Sequence, residues 1–136
     1  MSRWILIRRK HTYKYLNVNP TGQDTGDCVI RAISVLMDQS WSWTYFMICL
    51  QGFLLYRMPS TNSVWSEYLY GCGYRRTSLP DTCPDCYTVR DFCLDFPNGK
   101  FLLALDGHVV AVIDGDYYDT GDSGNEIPLF YWRKDG

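Results

Sequence analysis

The chain has no apolar run approaching the roughly 20 residues that a membrane-spanning helix requires. Its opening, Met1-Ser2-Arg3-Trp4-Ile5-Leu6-Ile7-Arg8, holds too short an apolar stretch for a secretory signal. Neither a spanning helix nor an export leader is expected, and a cytoplasmic location is. Charge of one sign is lacking as well: 13 Lys and Arg against 15 Asp and Glu give a formal net charge of −2, which generates no global field to gather nucleic acid. Internal repeats and low-complexity segments are also absent. The one local imbalance is Arg3, Arg8, Arg9, Lys10 and Lys14, which reads as the solvated charge of an edge strand rather than as a phosphate-binding arm.

What is present is apolar and aromatic. At 136 residues, 46% hydrophobic and 16% aromatic, with 5 Trp and 11 Tyr, the chain has the makings of a single folded domain. Trp41-Ser42-Trp43 and Phe130-Tyr131-Trp132-Arg133-Lys134 are where a base-stacking platform would have to form. Both read as core or rim packing, so no nucleic-acid partner is expected. The six cysteines, at 28, 49, 72, 83, 86 and 93, are expected to be reduced thiols in a chain without an export signal. Cys49, within Tyr45-Phe46-Met47-Ile48-Cys49-Leu50, has the setting of a small buried hydrophobe. Cys83-Pro84-Asp85-Cys86 has the spacing of half a zinc site. Cys72 and Cys93 do not supply a well-spaced second half, so the loop reads as exposed with two incidental thiols, and no metal or other cofactor is expected.

Along the chain, residues 12 to 18 read as a strand, ended by the turn-rich run Asn19-Pro20-Thr21-Gly22-Gln23-Asp24-Thr25-Gly26. Val29, Ile30, Ile33, Leu36 and Met37 recur at helical spacing after Asp27, a competent N-cap, which predicts a helix over 28–38. Further helices are predicted over 42–56, weakened by Gly52, and over 64–70, and Thr88 to Asp91 has capping-box spacing for a short fourth. Phe101 to Leu105 and Val109 to Ile113 are apolar strands. Asp106-Gly107 and Asp114-Gly115 are two-residue hairpin signals, leading through Asp116-Tyr117-Tyr118-Asp119-Thr120 to a last strand at Leu129-Phe130-Tyr131-Trp132. The expected fold class is α+β, with N-terminal helices packed on a C-terminal antiparallel sheet. Within the one domain, a basic strand spans 1–18, a helical part 28–96 and a sheet part 100–133.

The residues that carry chemistry sit at element ends. Cys28 opens the first helix, where the dipole and free N–H groups favour a thiolate, and His108 opens an apolar strand, where it can serve as base. An oxyanion formed by attack on an acyl carbon needs donors, which the Cys28 backbone N–H and the Gln23 amide can provide. A carboxylate should hold the imidazole. Asp119, ending the strand next to that of His108, is preferred, and Asp122 is the alternative, in a segment that equally suits an Asx turn. Asp114 and Asp116 belong to the tight turn.

Cys on the first main helix, His on a central strand and Asp on the next resemble papain-like cysteine peptidases, including the bacteriocin-processing type. More specific are Asn19-Pro20-Thr21-Gly22, Thr25-Gly26-Asp27-Cys28-Val29-Ile30-Arg31-Ala32, Met58-Pro59, Tyr87 to Cys93, Gly107-His108-Val109-Val110-Ala111-Val112 and Tyr117 to Gly124. These runs are similar to a small family of bacterial and phage proteins. The resemblance implies a papain-like fold with Cys28 as nucleophile, His108 as base and Asp119 as orienting acid, in the host cytoplasm if the source is a phage. Papain-type enzymes carry the oxyanion Gln six positions before the Cys, whereas Gln23 is five before Cys28. The expected function is a cysteine-dependent hydrolase, a peptidase or isopeptidase working through a thioester acyl-enzyme, with a peptide or protein substrate, such as a host protein, bound between the helical and sheet halves. The rival is a non-catalytic host-factor-binding protein on the same scaffold, and a transferase or deamidase would share the triad.

Overall fold

The computed structural model describes residues 13–23, 25–80 and 85–134. Arg3, Arg8, Arg9, Lys10 and Cys83 lie outside the described residues, and Lys14 is exposed on the first strand. The described elements run β1 (Tyr13–Tyr15), α1 (Cys28–Met37), α2 (Trp41–Leu55), α3 (Asn62–Gly71), β2 (Tyr74–Ser78), α4 (Val89–Asp95), β3 (Lys100–Leu105), β4 (His108–Ile113), β5 (Asp116–Asp119) and β6 (Phe130–Lys134). The architecture is mixed α+β. No described helix is long and apolar enough to cross a membrane.

Local sequence accounts for most of these boundaries. Ser40 caps α2 through its side chain, which accepts from the Trp43 N–H. Thr88 and Asp91 form the reciprocal capping box of α4, Asp91 accepting the Thr88 N–H at 3.0 Å. At Gly52 a Cβ would stand 2.7 Å from the Arg57 carbonyl oxygen. Gly52 thus permits the chain to fold back against the end of α2, and its own carbonyl accepts the Arg57 N–H. Asp114 and Gly115 both take positive φ, 51° and 81°, the pairing that a type I′ hairpin between β4 and β5 demands.

The strand order is β1-β5-β4-β3-β6-β2, and it corrects the expectation of a purely antiparallel sheet. β1 runs parallel to β5, with Tyr15 opposite Asp119. The other pairs are antiparallel. The segment over 28–96 is not wholly helical either, because β2 leaves it to pair with β6 at the far edge. Four of the five β2 residues are exposed, so no apolar alternation marks the strand, whose place is set by backbone pairing.

The apolar runs of β3 and β4 are explained by cover on both faces. Leu102, Ala104, Val109 and Ala111 join Ile33, Leu36, Ile48, Val64 and Leu69 of α1, α2 and α3 in one core. Phe101, Leu103, Leu105, Val110 and Val112 point the other way, into a second core with Val89, Phe92 and Cys93 of α4. The helices are therefore not all on one side of the sheet. Docking of α1 across β4 carries the start of the helix to the start of the strand.

Candidate active site

Cys28 is the first residue of α1 and His108 the first of β4. The His108 ring and the Val109 N–H lie close enough to the Cys28 sulfur for both to favour its thiolate. Nε2 of His108 makes a short contact with Asp119 Oδ2, which leaves Nδ1 to face the sulfur. Asp119 is buried and fixed from several sides. Its Oδ1 accepts the Thr120 N–H at 2.7 Å, and its carbonyl oxygen accepts from the Tyr13 hydroxyl at 3.2 Å.

Burial alone would raise the Cys28 thiol. The His108 hydrogen bond, the Val109 N–H and the charges of His108 and Arg31 outweigh it, so the thiol lies below its ordinary range. The Asp119 bond, followed by the bond to Cys28, pushes His108 up from 6.5 to about 10. Both shifts favour a thiolate beside an imidazolium at neutral pH.

The helix start is held by a network to which only one cue in the linear pattern points. Asp27 occupies the N-cap position but makes no side-chain cap bond, which corrects its expected role. Its carboxylate accepts from Asn19 Nδ2 at 2.9 Å and Trp41 Nε1 at 2.8 Å, and pairs with the Arg31 guanidinium. Arg31 lies one turn into α1 and reaches to 3.8 Å from Asp119 Oδ1. Two buried carboxylates thus share one buried cation, linking the Asn19 turn, α1 and β5. The cue was a charged pair at i and i+4 on a helix whose neighbouring residues are apolar. Because Asp27 turns inward, the first-turn N–H groups of α1 are left uncapped by that side chain, a setting that suits an anion.

Cys28 and His108 both line a cavity of about 420 Å³. Its walls are the start of α1, Ser60 and Asn62 at the start of α3, the β3–β4 turn, and Arg76, Leu129, Phe130 and Trp132 of the sheet edge. A second cavity, sharing Gly26, Val29, Ser60 and Trp65 with the first, extends toward Trp41, Tyr45 and Ile48. Trp132 Nε1 is buried without a hydrogen-bond partner.

The other candidates fall elsewhere. Asp122 accepts from the Tyr117 hydroxyl and from the Gly124 N–H at 2.9 Å, and pairs with Arg90 at 3.1 Å. That is an Asx-type loop anchor whose partners do not include His108. Gln23 is exposed, its N–H 3.4 Å from Thr21 Oγ1, and it does not line the cavity. Asp114 accepts the Gly99 N–H from its turn. Cys86 is disulfide-bonded, which corrects the expectation of six reduced thiols and removes a thiolate that a zinc half-site would need. Cys28, Cys49, Cys72 and Cys93 carry no disulfide. Among the described residues no group of three or more His, Cys, Asp and Glu side chains is placed to hold a metal ion.

Comparison with protein-family models, with curated proteins and with solved structures gave no match.

Proposed function

We propose that the protein is a papain-like cysteine hydrolase that cleaves an amide bond of a peptide or protein through the Cys28–His108–Asp119 triad. The observation that carries this reading is the meeting of Cys28 and His108 at the wall of one open cleft, with the His108 ring held by the Asp119 carboxylate. The Cys28 thiolate attacks the carbonyl carbon, and the oxyanion takes its hydrogen bond from the Cys28 backbone N–H at the start of α1. Protonated His108 then gives its Nδ1 proton to the leaving nitrogen, and the C–N bond breaks to leave a thioester on Cys28. Water, giving a proton to the now neutral His108, attacks the thioester carbonyl, and the C–S bond breaks to release the acid and restore the thiolate beside the imidazolium. Asp119 keeps the ring in the orientation and tautomer that both transfers need. Gln23 enters this scheme as an oxyanion donor only if the Asn19–Gly26 loop turns its amide into the cleft.

The test is acyl-enzyme trapping. Wild-type protein is incubated with a library of peptide thioesters and peptide amides and followed by intact mass. The reading predicts an acyl adduct on Cys28, released by hydroxylamine and absent in Cys28→Ala and His108→Ala. Acylation that spreads equally over Cys28, Cys49 and Cys72 and survives His108→Ala would sink it.

A further inference from the structure

Helix α2 is the most exposed apolar element among the described residues. No charged residue occurs in Trp41-Ser42-Trp43-Thr44-Tyr45-Phe46-Met47-Ile48-Cys49-Leu50-Gln51-Gly52-Phe53-Leu54-Leu55. Its inward stripe is Thr44, Ile48 and Gly52. The opposite stripe is apolar too and open to water, with Trp43 51%, Phe46 57%, Phe53 74% and Leu54 61% exposed. A single amphipathic face would leave polar residues on the outside, whereas a helix that is apolar all round is normally covered all round.

We propose that this face is a dimer interface, in which α2 of one copy packs against α2 of a second copy about a twofold axis. Three observations favour that occupant. The first is spacing: Trp43, Phe46, Leu50 and Phe53 recur at alternating intervals of three and four, the pattern of a helix seam that receives another helix. Area is the second. With 150 to 250 Å² for a whole aromatic side chain, the exposed parts of this stripe with Tyr45, Tyr56 and Met58 come to on the order of 1,000 Å² per copy, against about 800 Å² per partner in a stable interface. The third is charge. A partner bringing ionic side chains would have to desolvate them against an uncharged surface, whereas a second copy brings the same uncharged stripe, and an isologous pair closes without leaving either face open. A bilayer fits less well, because interfacial helices carry Lys and Arg beside the apolar face and α2 has none.

The experiment is sedimentation velocity on the full chain across micromolar concentrations, with Leu50→Glu/Phe53→Glu alongside. The proposal predicts twice the chain mass for wild type and the chain mass for the variant, with the Cys28 alkylation rate the same in both. It also predicts a wild-type melting temperature that rises with concentration and a variant one that does not. Both residues are exposed, so the fold should tolerate the change. If circular dichroism shows that it does not, Trp43→Ser alone should raise the dimer dissociation constant about tenfold or more. Wild type that remains monomeric throughout overturns the proposal, whether α2 then proves protected from hydrogen exchange by residues 1–12 or binds lipid vesicles. A dimer that persists unchanged in every variant overturns it as well.

Discussion

The Arg31 guanidinium stands 3.8 Å from Asp119, and both side chains are buried. Arg31 also pairs with Asp27, so the carboxylate that orients His108 shares its counter-ion with the one that anchors the loop before Cys28. Replacing Arg31 by Met leaves the buried Asp27 carboxylate with neutral donors only, Asn19 and Trp41, while Asp119 keeps His108. We expect a loss of about 3–5 kcal/mol in folding free energy, read from urea denaturation. Asp27→Asn, which keeps the shape and removes one of the charges, should recover part of that loss when combined with Arg31→Met.

Alkylation by limiting iodoacetamide reports the thiolate directly. Because the Cys28 thiol is lowered and Cys49 and Cys72 do not share its imidazole, Cys28 should dominate labelling at pH 6. In His108→Ala its rate at that pH should fall by about tenfold or more, with the profile moving toward an ordinary thiol. Peptide mass spectrometry distinguishes the sites, and equal labelling of Cys28, Cys49 and Cys72 in wild type would contradict the ion pair.

The raised His108 also sets a direction for stability. A base whose folded value lies above its unfolded 6.5 stabilises the fold fully below 6.5, and that contribution disappears as the pH rises through about 10. On a Cys28→Ser background, which removes the titrating thiol and keeps the Asp119 bond, the melting-temperature gap to Cys28→Ser/His108→Ala should be widest at pH 6. It should narrow steadily toward pH 10. A gap that widens with pH would reverse the assignment.

Two neighbouring carboxylates should separate cleanly. Asp119→Asn disturbs the His108 tautomer and should depress the Cys28 alkylation rate at pH 6 without changing which cysteine reacts first. Asp122→Asn loses a partly exposed ion pair while its amide oxygen still accepts from the Tyr117 hydroxyl, and should cost about 1 kcal/mol or less in stability. Cys28 reactivity should be unaffected in the second variant, and a comparable loss of reactivity in both would place Asp122 in the site.

Legibility in the sequence tracked how local each signal was. The bounds of α1, α2 and α3, the α4 capping box and the Asp106-Gly107 and Asp114-Gly115 hairpins depend on residues within a turn or two of each other, and all were readable. The meeting of Cys28, His108 and Asp119 followed from element order together with hairpin geometry. β2 was hidden because Arg75, Arg76, Thr77 and Ser78 show no buried face, and the parallel β1–β5 edge because three residues carry no mark of direction. The position of Asp27 suits a cap, which its side chain does not make. Its actual partners, Asn19, Trp41 and Arg31, arrive from three segments, and beyond the i,i+4 spacing of Arg31 nothing in a linear pattern announces that they converge.

The sulfur and the imidazole belong to elements far apart in the chain, and they meet only because α1 lies across β4. A chain emerging from synthesis, or one with the helical layer detached from the sheet, therefore carries Cys28 as an ordinary, slow thiol. Activation of the Cys28 thiol requires that docking, which makes Cys28 labelling a gauge of whether those two layers are joined.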